Sequence, residues 1–327
     1  MAKKRQPNKS LLESFDFFRV SLQRKLGRFI FYILLACLAY QILFSLLYMV
    51  AMSIRDPNDA LDPSVIWIPK NFSLQNFVDA AKAMDYWAAF KNSLIVCFCC
   101  GILDVISCSL AGYGFSRFKF PGKNVLFALV IFTLIVPVQT LILPNYLRWR
   151  YADFGGLVGL FNDTGWVRLI GTYFPFILPS MFALGLRSGL YIFIFRQFFI
   201  NMPSALEDAA YIDGCGPLRT YSQIMLPNIQ NAIVTVFLFS FVWNWGEYYQ
   251  SKQLLGANAR TLMVALSSIR VDLSSVSALA NVQLISNPEK IATRVMAGAL
   301  LVIAPMILVF VLTQRFFSDS IEHIGIK

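Results

Sequence analysis

Six long apolar runs dominate this sequence and limit the architectures open to it. A helix needs roughly 20 apolar residues to cross the hydrocarbon of a bilayer. The runs occupy residues 29–54, 92–116, 124–147, 170–197, 229–249 and 295–316. None alternates apolar and polar residues as the strands of a membrane barrel do. The sequence therefore predicts an all-α fold, a polytopic transmembrane bundle of six helices.

The composition supports a membrane protein and argues against metal or catalytic chemistry. Only 14% of the 327 residues are charged, whereas soluble domains carry about a quarter. There is a single His, and the six Cys lie mostly inside the apolar runs. A metal at Cys97, Cys99 and Cys100 is weakly supported, because thiols inside apolar helices usually serve as small side chains. We expect no metal ligands and no catalytic residues.

The distribution of basic residues predicts the orientation in the membrane. With six spans, the side that carries both termini has fifteen Lys and Arg against seven acidic residues, and the opposite side has twelve against nine. The excess of basic residues marks the cytoplasmic side. We therefore predict a basic cytoplasmic tail over 1–28, a first helix over 29–54, an extracellular segment over 55–90, a membrane domain over 91–317 and a cytoplasmic tail over 318–327.

A polar segment of about 28 residues, 201–228, separates the fourth and fifth runs and is predicted to face the cytoplasm. Ser204 followed by Glu207 fits a capping box at the start of a helix. Gly214 suits the C-terminal cap of that helix. Pro217 and Pro227 suit the start and the end of a second short helix. The pair would expose apolar side chains, namely Tyr211, Ile212, Ile224, Met225 and Leu226. It is either an amphipathic loop against its own bundle or a docking element for a cytoplasmic partner.

The same segment carries a family resemblance. The stretch "LEDAAYIDGCGPLRTYSQIMLP" resembles the E-A-A-x-x-x-G…I-x-L-P loop of binding-protein-dependent ABC import permeases. Asp208 stands where that family usually has Glu, and Cys215 where it usually has Ala. Two further stretches, "AGYGFSRFKFPGKN" and "VMAGALLVIAPMILVFVLTQRFFSDSIEHIGIK", are similar to the sugar-permease branch. The resemblance covers about residues 70–327.

The resemblance implies a MetI-like permease domain over 91–317 in a bacterial cytoplasmic membrane. Its partners would be a second, homologous permease, two ABC ATPase subunits and an extracellular solute-binding protein that delivers a carbohydrate, specifically an oligosaccharide. The chain has no G-x-x-x-x-G-K-[ST] motif, so ATP and Mg²⁺ would be bound by the partner subunits, and no cofactor or nucleic acid by this chain. The implied coupling residues are Ser204, Glu207, Asp208, Ala209, Ala210, Asp213, Gly214, Ile224, Leu226 and Pro227.

Polar residues inside the runs are the candidates for the transport path. Asp104 and Arg187 fall near the middle of the second and fourth runs, where an isolated charge costs about 2.5–3.5 kcal/mol. We predict that they face the bundle interior and pair with each other, a structural role being favoured over solute contact. The remaining candidates are Gln139, Asn145, Trp243, Asn244 and Glu247. Aromatic and amide groups suit sugar rings, but they also suit the aromatic belt at a membrane interface.

Two other classes of protein are alternatives to an import permease. A self-sufficient secondary transporter or channel could use Asp104 and Glu247 as titratable groups, but it leaves the punctuated 201–228 segment without a role. A membrane enzyme would need a nucleophile with its base or a metal site, and the sequence offers neither.

Overall fold

The computed structural model describes residues 9–56, 59, 69–156, 165–256, 259–269 and 288–325. Within these residues all regular structure is helical, apart from two isolated β-bridges that join Arg55 to Phe72 and Ala152 to Val167. Parts of the predicted tails and of the predicted extracellular segment, residues 1–8, 57–58, 60–68 and 326–327, lie outside the described residues. The all-α part of the prediction is confirmed for the part of the chain described.

The helices are numbered in chain order. They are α1 Lys9–Ser53, α2 Gln75–Ala83, α3 Tyr86–Arg117, α4 Lys123–Ile135, α5 Ile142–Arg150, α6 Phe174–Met181, α7 Ser188–Asn201, α8 Ala205–Ile212, α9 Pro217–Thr220, α10 Gln230–Trp245, α11 Tyr249–Leu254, α12 at 262–269 and α13 Pro288–Gly325. Single turns of 3₁₀-helix at Val138–Leu141 and Pro227–Ile229, and a π-helical turn at Tyr221–Met225, connect some of them.

Three described helical segments are each long and apolar enough to cross a membrane: Lys25–Ser53, Tyr86–Arg117 and Glu289–Gln314. Two bent pairs could each provide one more crossing. The pair α4 and Val138–Arg150 bends by 97°, and the pair Pro217–Met225 and Pro227–Trp245 bends by 40°. The chain is therefore an integral membrane protein with at least three apolar spanning helices. The count of six and the side on which the termini lie stay predictions.

The fourth apolar run is not one uninterrupted helix, and that expectation for 170–197 is wrong. The helix α6 ends after Met181, and α7 begins only at Ser188. Ala183 has a left-handed backbone with φ of 55°, and the N–H of Leu184 donates to the carbonyl of Pro179 at 2.8 Å. This bond closes a C-terminal cap of the kind that usually needs glycine. The result is a six-residue break, 182–187, inside the run.

The first and last helices are longer than predicted. The helix α1 begins at Lys9, twenty residues before the predicted span, so the described part of the basic tail is helical. The helix α13 runs from Pro288 to Gly325 and extends beyond 295–316 at both ends. Hydropathy marks only the part of a helix that suits hydrocarbon, and polar residues can continue the same helix into water.

The helix α3 lies at the centre of the bundle, and α6, α7 and α10 pack against it. One face of α3 carries small or short side chains that are all buried: Cys97, Gly101, Asp104, Cys108 and Gly112. A Cβ added at Gly112 would lie 2.7 Å from the Cβ of Phe195 and 3.0 Å from the backbone N of Arg196. The close approach of α3 and α7 therefore depends on glycine, in keeping with the small residues that membrane helices use at their contacts.

The helices α1 and α2 attach to the bundle through α13. The buried amide of Asn76 donates to the carbonyls of Ser53 and Arg55, at 3.0 and 2.6 Å, and so satisfies acceptors at the C-terminal end of α1. Arg294 on α13 pairs with Asp79 at 2.8 Å. These polar contacts hold one end of α1 beside α13.

Candidate functional site

The helix α8, in the segment predicted to contact a partner, ends as the sequence predicts. Gly214 has φ of 81°. The N–H of Cys215 donates to the carbonyl of Ala210 at 2.9 Å, and the N–H of Gly214 donates to that of Tyr211 at 3.1 Å. These are the two bonds of a Schellman motif, which satisfies the last carbonyls of a helix and needs a left-handed residue. The predicted cap at Gly214 is confirmed.

The start of α8 differs from the prediction, because the capping box does not form. Ser204 has helical backbone angles, φ −64° and ψ −26°, and its side chain makes no capping bond. Glu207 instead turns inward and is 8% exposed. Its Oε2 lies 3.5 Å from Nε of Arg117. The carboxylate is thus engaged by a guanidinium from another helix and does not return to the backbone of Ser204.

Arg117 links three elements at this corner of the bundle. It is the last residue of α3, and its Nη2 donates to the carbonyls of Phe199 and Met202, both at 2.7 Å. Those carbonyls belong to the end of α7 and the residue that follows it. Together with Glu207 on α8, they surround the guanidinium, which therefore holds the end of α3 against the α7–α8 corner.

The second half of the segment is continuous with α10. Pro217 begins α9 as predicted, but a π-helical turn follows at Tyr221–Met225, and Pro227–Ile229 leads into α10 at a bend of 40°. Pro227 therefore bends the path and does not end the helix before the next span. The hydroxyls of Tyr221 and Ser109 on α3 are 2.7 Å apart, which anchors this half of the segment to the bundle.

The outer surface of the segment is apolar at several positions. Ile212 is 86% exposed and Leu218 is 73% exposed, and Tyr211 is exposed as well. Asp208, Ala209 and Asp213 are also exposed, while Ile224 and Leu226 are half-buried. Met225, expected at the surface, is fully buried against Phe195, Phe199 and their neighbours. Ala210 is buried too, so α8 has one face on the bundle and one open face.

A cavity at the break between α6 and α7 brings together most of the polar residues predicted inside the spans. It encloses about 630 Å³ of space, part of it open to solvent. Its lining includes Asp104, Asn145, Arg187, Asn244 and Glu247. These come from α3, α5, the break itself and the end of α10, so residues far apart in sequence share one surface.

The charges in this cavity pair differently from the prediction. The Nη1 of Arg187 lies 3.9 Å from Oε2 of Glu247, and the guanidinium lies 4.7 Å from the centroid of the Trp243 ring, a cation–π contact. The Oδ2 of Asp104 accepts from the hydroxyl of Ser240 at 2.6 Å. Among the described residues no ion pair joins Asp104 to Arg187, so the predicted pair is wrong. Arg187 is the last residue of the break, and its side chain reaches α10.

The other predicted polar residues lie around the same arginine. Gln139 lines a second cavity that also includes Arg187 and Glu247. Asn145 accepts from the indole N–H of Trp149 at 2.9 Å, and Asn244 donates to the carbonyl of Ser240 at 2.9 Å. Trp243 is absent from the linings of both cavities and reaches the site through its contacts with Arg187 and Tyr191.

Sequence reasoning missed several polar cavity residues, among them Ser180, Ser188 and Gln250. Serine is common in membrane helices, and nothing in the local pattern marks Ser180 or Ser188. They reach the cavity because the break turns α6 and α7 toward α3. Among the described residues, no three His, Cys, Asp or Glu side chains are grouped closely enough to hold a metal ion.

Comparison with known proteins defines the class of protein to which this chain belongs. Residues 105–322 match the family described as the inner membrane component of binding-protein-dependent transport systems. The match spans more than half of the chain, and the chain belongs to this family.

Individual relatives align with nearly the whole length of this chain. The chain is 26% identical over 296 residues to the arabinooligosaccharides transport system permease protein AraQ of Halalkalibacterium halodurans, covering 89% of this chain and 94% of that protein. It is 27% identical to the sn-glycerol-3-phosphate transport system permease protein UgpE of Agrobacterium fabrum, covering 90% of this chain and 95% of that protein. A chain in the crystal structure of a bacterial ABC transporter involved in the import of the acidic polysaccharide alginate has the same fold, with a TM-score of 0.73 at 20% identity over 90% of this chain and 98% of that one.

Proposed function

We propose that this chain is the transmembrane permease subunit of an ABC importer and forms half of a translocation path for a carbohydrate, specifically an oligosaccharide. The observation that carries the proposal is the family match over residues 105–322, which includes the capped α8 segment. The names of AraQ and UgpE, as permeases for an arabinooligosaccharide and for a glycerol phosphate, support a small hydroxylated solute.

The proposed complex sits in a bacterial cytoplasmic membrane. This chain would cross it six times, with both termini in the cytoplasm and with α6 and α7 together making the fourth crossing. A broken helix is tolerated inside a membrane when its free backbone groups face protein or a water-filled cavity, and the break at 182–187 lies on such a cavity. A second homologous permease, two ATPase subunits and an extracellular binding protein would complete the importer.

The exposed surface of α8 and α9 is the proposed seat of the ATPase. Tyr211, Ile212 and Leu218 present apolar surface there, and a partner surface that covers them gains the free energy of apolar burial. Glu207 and Ala210 face the bundle on the other side of the helix. Movement of the seated ATPase would reach α3 through Arg117, because this side chain holds the segment to α3 and α7.

Uptake into proteoliposomes tests this proposal. The chain is reconstituted alone and together with the permease, ATPase and binding protein encoded beside it, and uptake of labelled oligosaccharides is followed with and without internal ATP. We expect ATP-dependent uptake only with the full set of partners. Uptake by the chain alone, driven by an ion gradient, would overturn the proposal in favour of a secondary transporter.

A further inference from the structure

The cavity at the α6–α7 break contains buried polar atoms without partners. Among the described residues, the Oδ1 of Asp104, the Oγ of Ser188 and the Nε2 of Gln250 make no hydrogen bond. The three residues are 4%, 2% and 9% exposed, and all three line this cavity. Buried polar groups in folded proteins almost always have partners. Three such atoms without a hydrogen-bond partner, on three different helices, indicate a site that is completed by a bound molecule.

Gly185 shows that two of these atoms face a common space. A Cβ added at Gly185 would lie 3.0 Å from the Oγ of Ser188 and 3.7 Å from the Oδ1 of Asp104. The two oxygen atoms therefore approach the same side of the break, together with the Oγ of Ser180 at 3.9 Å. Asp104 is also held in place, because its other oxygen accepts from Ser240.

The chemistry of the three atoms selects the kind of ligand. A carboxylate oxygen only accepts, an amide nitrogen only donates, and a hydroxyl does both. Hydroxyl groups of a ligand can satisfy all three. The cavity is also bordered by the rings of Phe176 and Tyr191, and ligand sites commonly combine apolar walls with a few placed polar groups.

The charges around the cavity argue against an ionic ligand. Arg148 and Arg187 line it together with Asp104 and Glu247, so it carries no net charge. Glu247 already pairs with Arg187, and the two arginines would repel a bound cation. An anionic group next to the free oxygen of Asp104 would meet a like charge in a poorly solvated place. A neutral ligand avoids both costs.

We infer that this cavity binds hydroxyl groups of an uncharged sugar or polyol unit, and that Asp104 is the residue that excludes anionic units. The inference rests on the proposed function and deepens it in two ways. It assigns a solute contact to this subunit itself. It also distinguishes a neutral oligosaccharide from the phosphorylated or acidic solutes named for some members of the family.

Direct binding to the membrane complex tests the inference without the binding protein, whose own specificity would mask that of the cavity. The two permeases and the ATPases are purified together in nanodiscs, and equilibrium dialysis measures binding of labelled arabinotriose and maltotriose as neutral probes. The anionic probes are sn-glycerol 3-phosphate and a uronic-acid disaccharide. We expect at least one neutral probe to bind and both anionic probes to bind at least tenfold more weakly, since a buried like charge costs more than one hydrogen bond.

Two substitutions assign the binding to this cavity. Asp104→Asn should weaken neutral binding by on the order of tenfold, as expected for losing a bond to a charged acceptor, and should reduce the preference over the anionic probes. Ser188→Ala leaves the bond between Asp104 and Ser240 in place and should weaken neutral binding severalfold with no change in charge preference. Asp153→Asn and Ser45→Ala alter exposed residues outside the cavity and should change neither.

Three results would overturn the inference: no binding of a neutral probe, tighter binding of an anionic probe, or wild-type binding in both Asp104→Asn and Ser188→Ala. If Asp104→Asn does not fold, Ser188→Ala still decides. ATP-dependent uptake by the wild-type complex with its binding protein is measured in parallel. Its loss would contradict the proposed function, whereas its presence with unchanged binding in the variants would contradict only the solute contact in this subunit.

Discussion

Arg117 and Glu207 form an ion pair that is largely shielded from solvent at the corner where α3 meets α8. Their side chains are 15% and 10% exposed. Such a pair adds little net stability because both charges lose hydration, but removal of one partner leaves the other charge buried and alone. The pair therefore acts as a specific link between the segment and α3, and the cost of breaking it is measurable.

A double-mutant comparison measures this link. Arg117→Met strands the carboxylate of Glu207, and we expect the free energy of unfolding to fall by about 3–5 kcal/mol. Arg117→Met combined with Glu207→Leu should recover part of that loss, because no buried charge remains. Chemical denaturation of the purified chain in detergent gives both values.

Arg219→Met is the matched control. The guanidinium of Arg219 is exposed and, among the described residues, bonds only to the nearby Gln223, so its loss should change stability by less than about 0.5 kcal/mol. Equal destabilisation by the single and double variants at positions 117 and 207 would contradict the account of the buried pair.

Single residues also show which features could and could not be predicted from the sequence. The cap at Gly214 was predictable because it depends only on the local backbone and on the glycine that it requires. The partners of Glu207 and Arg187 were not predictable, because each lies on a distant helix. The capping box and the pair with Arg117 compete for the same carboxylate, and only the packing of α3 against α8 decides between them.

At the scale of single elements, α3 is a central helix whose close contacts require small side chains. Gly112 and Gly114 form a matched pair of sites on it. A Cβ at Gly112 would meet Phe195 and the backbone of α7, whereas a Cβ at Gly114 has nothing within 4 Å. The first glycine therefore serves packing, and the second only adds flexibility to the helix.

We expect alanine to have opposite effects on the free energy of unfolding at the two sites. Gly112→Ala should lower the free energy of unfolding by about 1–3 kcal/mol, the usual cost of overpacking. Gly114→Ala should leave stability unchanged or raise it by up to about 1 kcal/mol, because alanine favours the helix more than glycine does. Thermal unfolding of both variants in the same detergent measures the difference. A larger loss for Gly114→Ala than for Gly112→Ala would contradict the close packing of α3 on α7.

Hydropathy located the apolar elements but not their breaks. The run 170–197 is apolar throughout, so a window of average hydropathy reads it as one helix. The helix α6 ends after Met181, two residues before the left-handed backbone of Ala183, and Pro137 lies between α4 and the next turn at the 97° bend. The break between α6 and α7 lies on the cavity that contains most of the predicted polar residues.

For the whole molecule, the break between α6 and α7 leads to a testable prediction of the membrane topology. If the first three apolar runs each cross the membrane once and α6 and α7 together make the fourth crossing, residues 201–228 lie on the same side as the N-terminus. If α6 and α7 do not cross, the two lie on opposite sides. We expect a fluorescent protein that folds only in the cytoplasm to fluoresce when fused after Lys327 or inserted after Gly216. Alkaline phosphatase inserted between residues 57 and 68 should be active only outside. Phosphatase activity at Gly216 would contradict the six-span topology.

If ATP hydrolysis on another chain drives this one through the α8 segment, as we propose, the amount of solute carried per ATP depends on the backbone of that segment. Gly214 has a left-handed backbone, and Gly216 an ordinary extended one with φ −77° and ψ 168°. Both have open space around them. Valine at Gly214 is therefore strained by roughly 1–2 kcal/mol, and valine at Gly216 is not.

ATP hydrolysis and solute uptake are measured in the same proteoliposomes for Gly214→Val and Gly216→Val in the complete complex. We expect a severalfold fall in solute carried per ATP for Gly214→Val, with normal membrane insertion, and a wild-type ratio for Gly216→Val. A wild-type ratio for Gly214→Val would contradict coupling through the α8 segment.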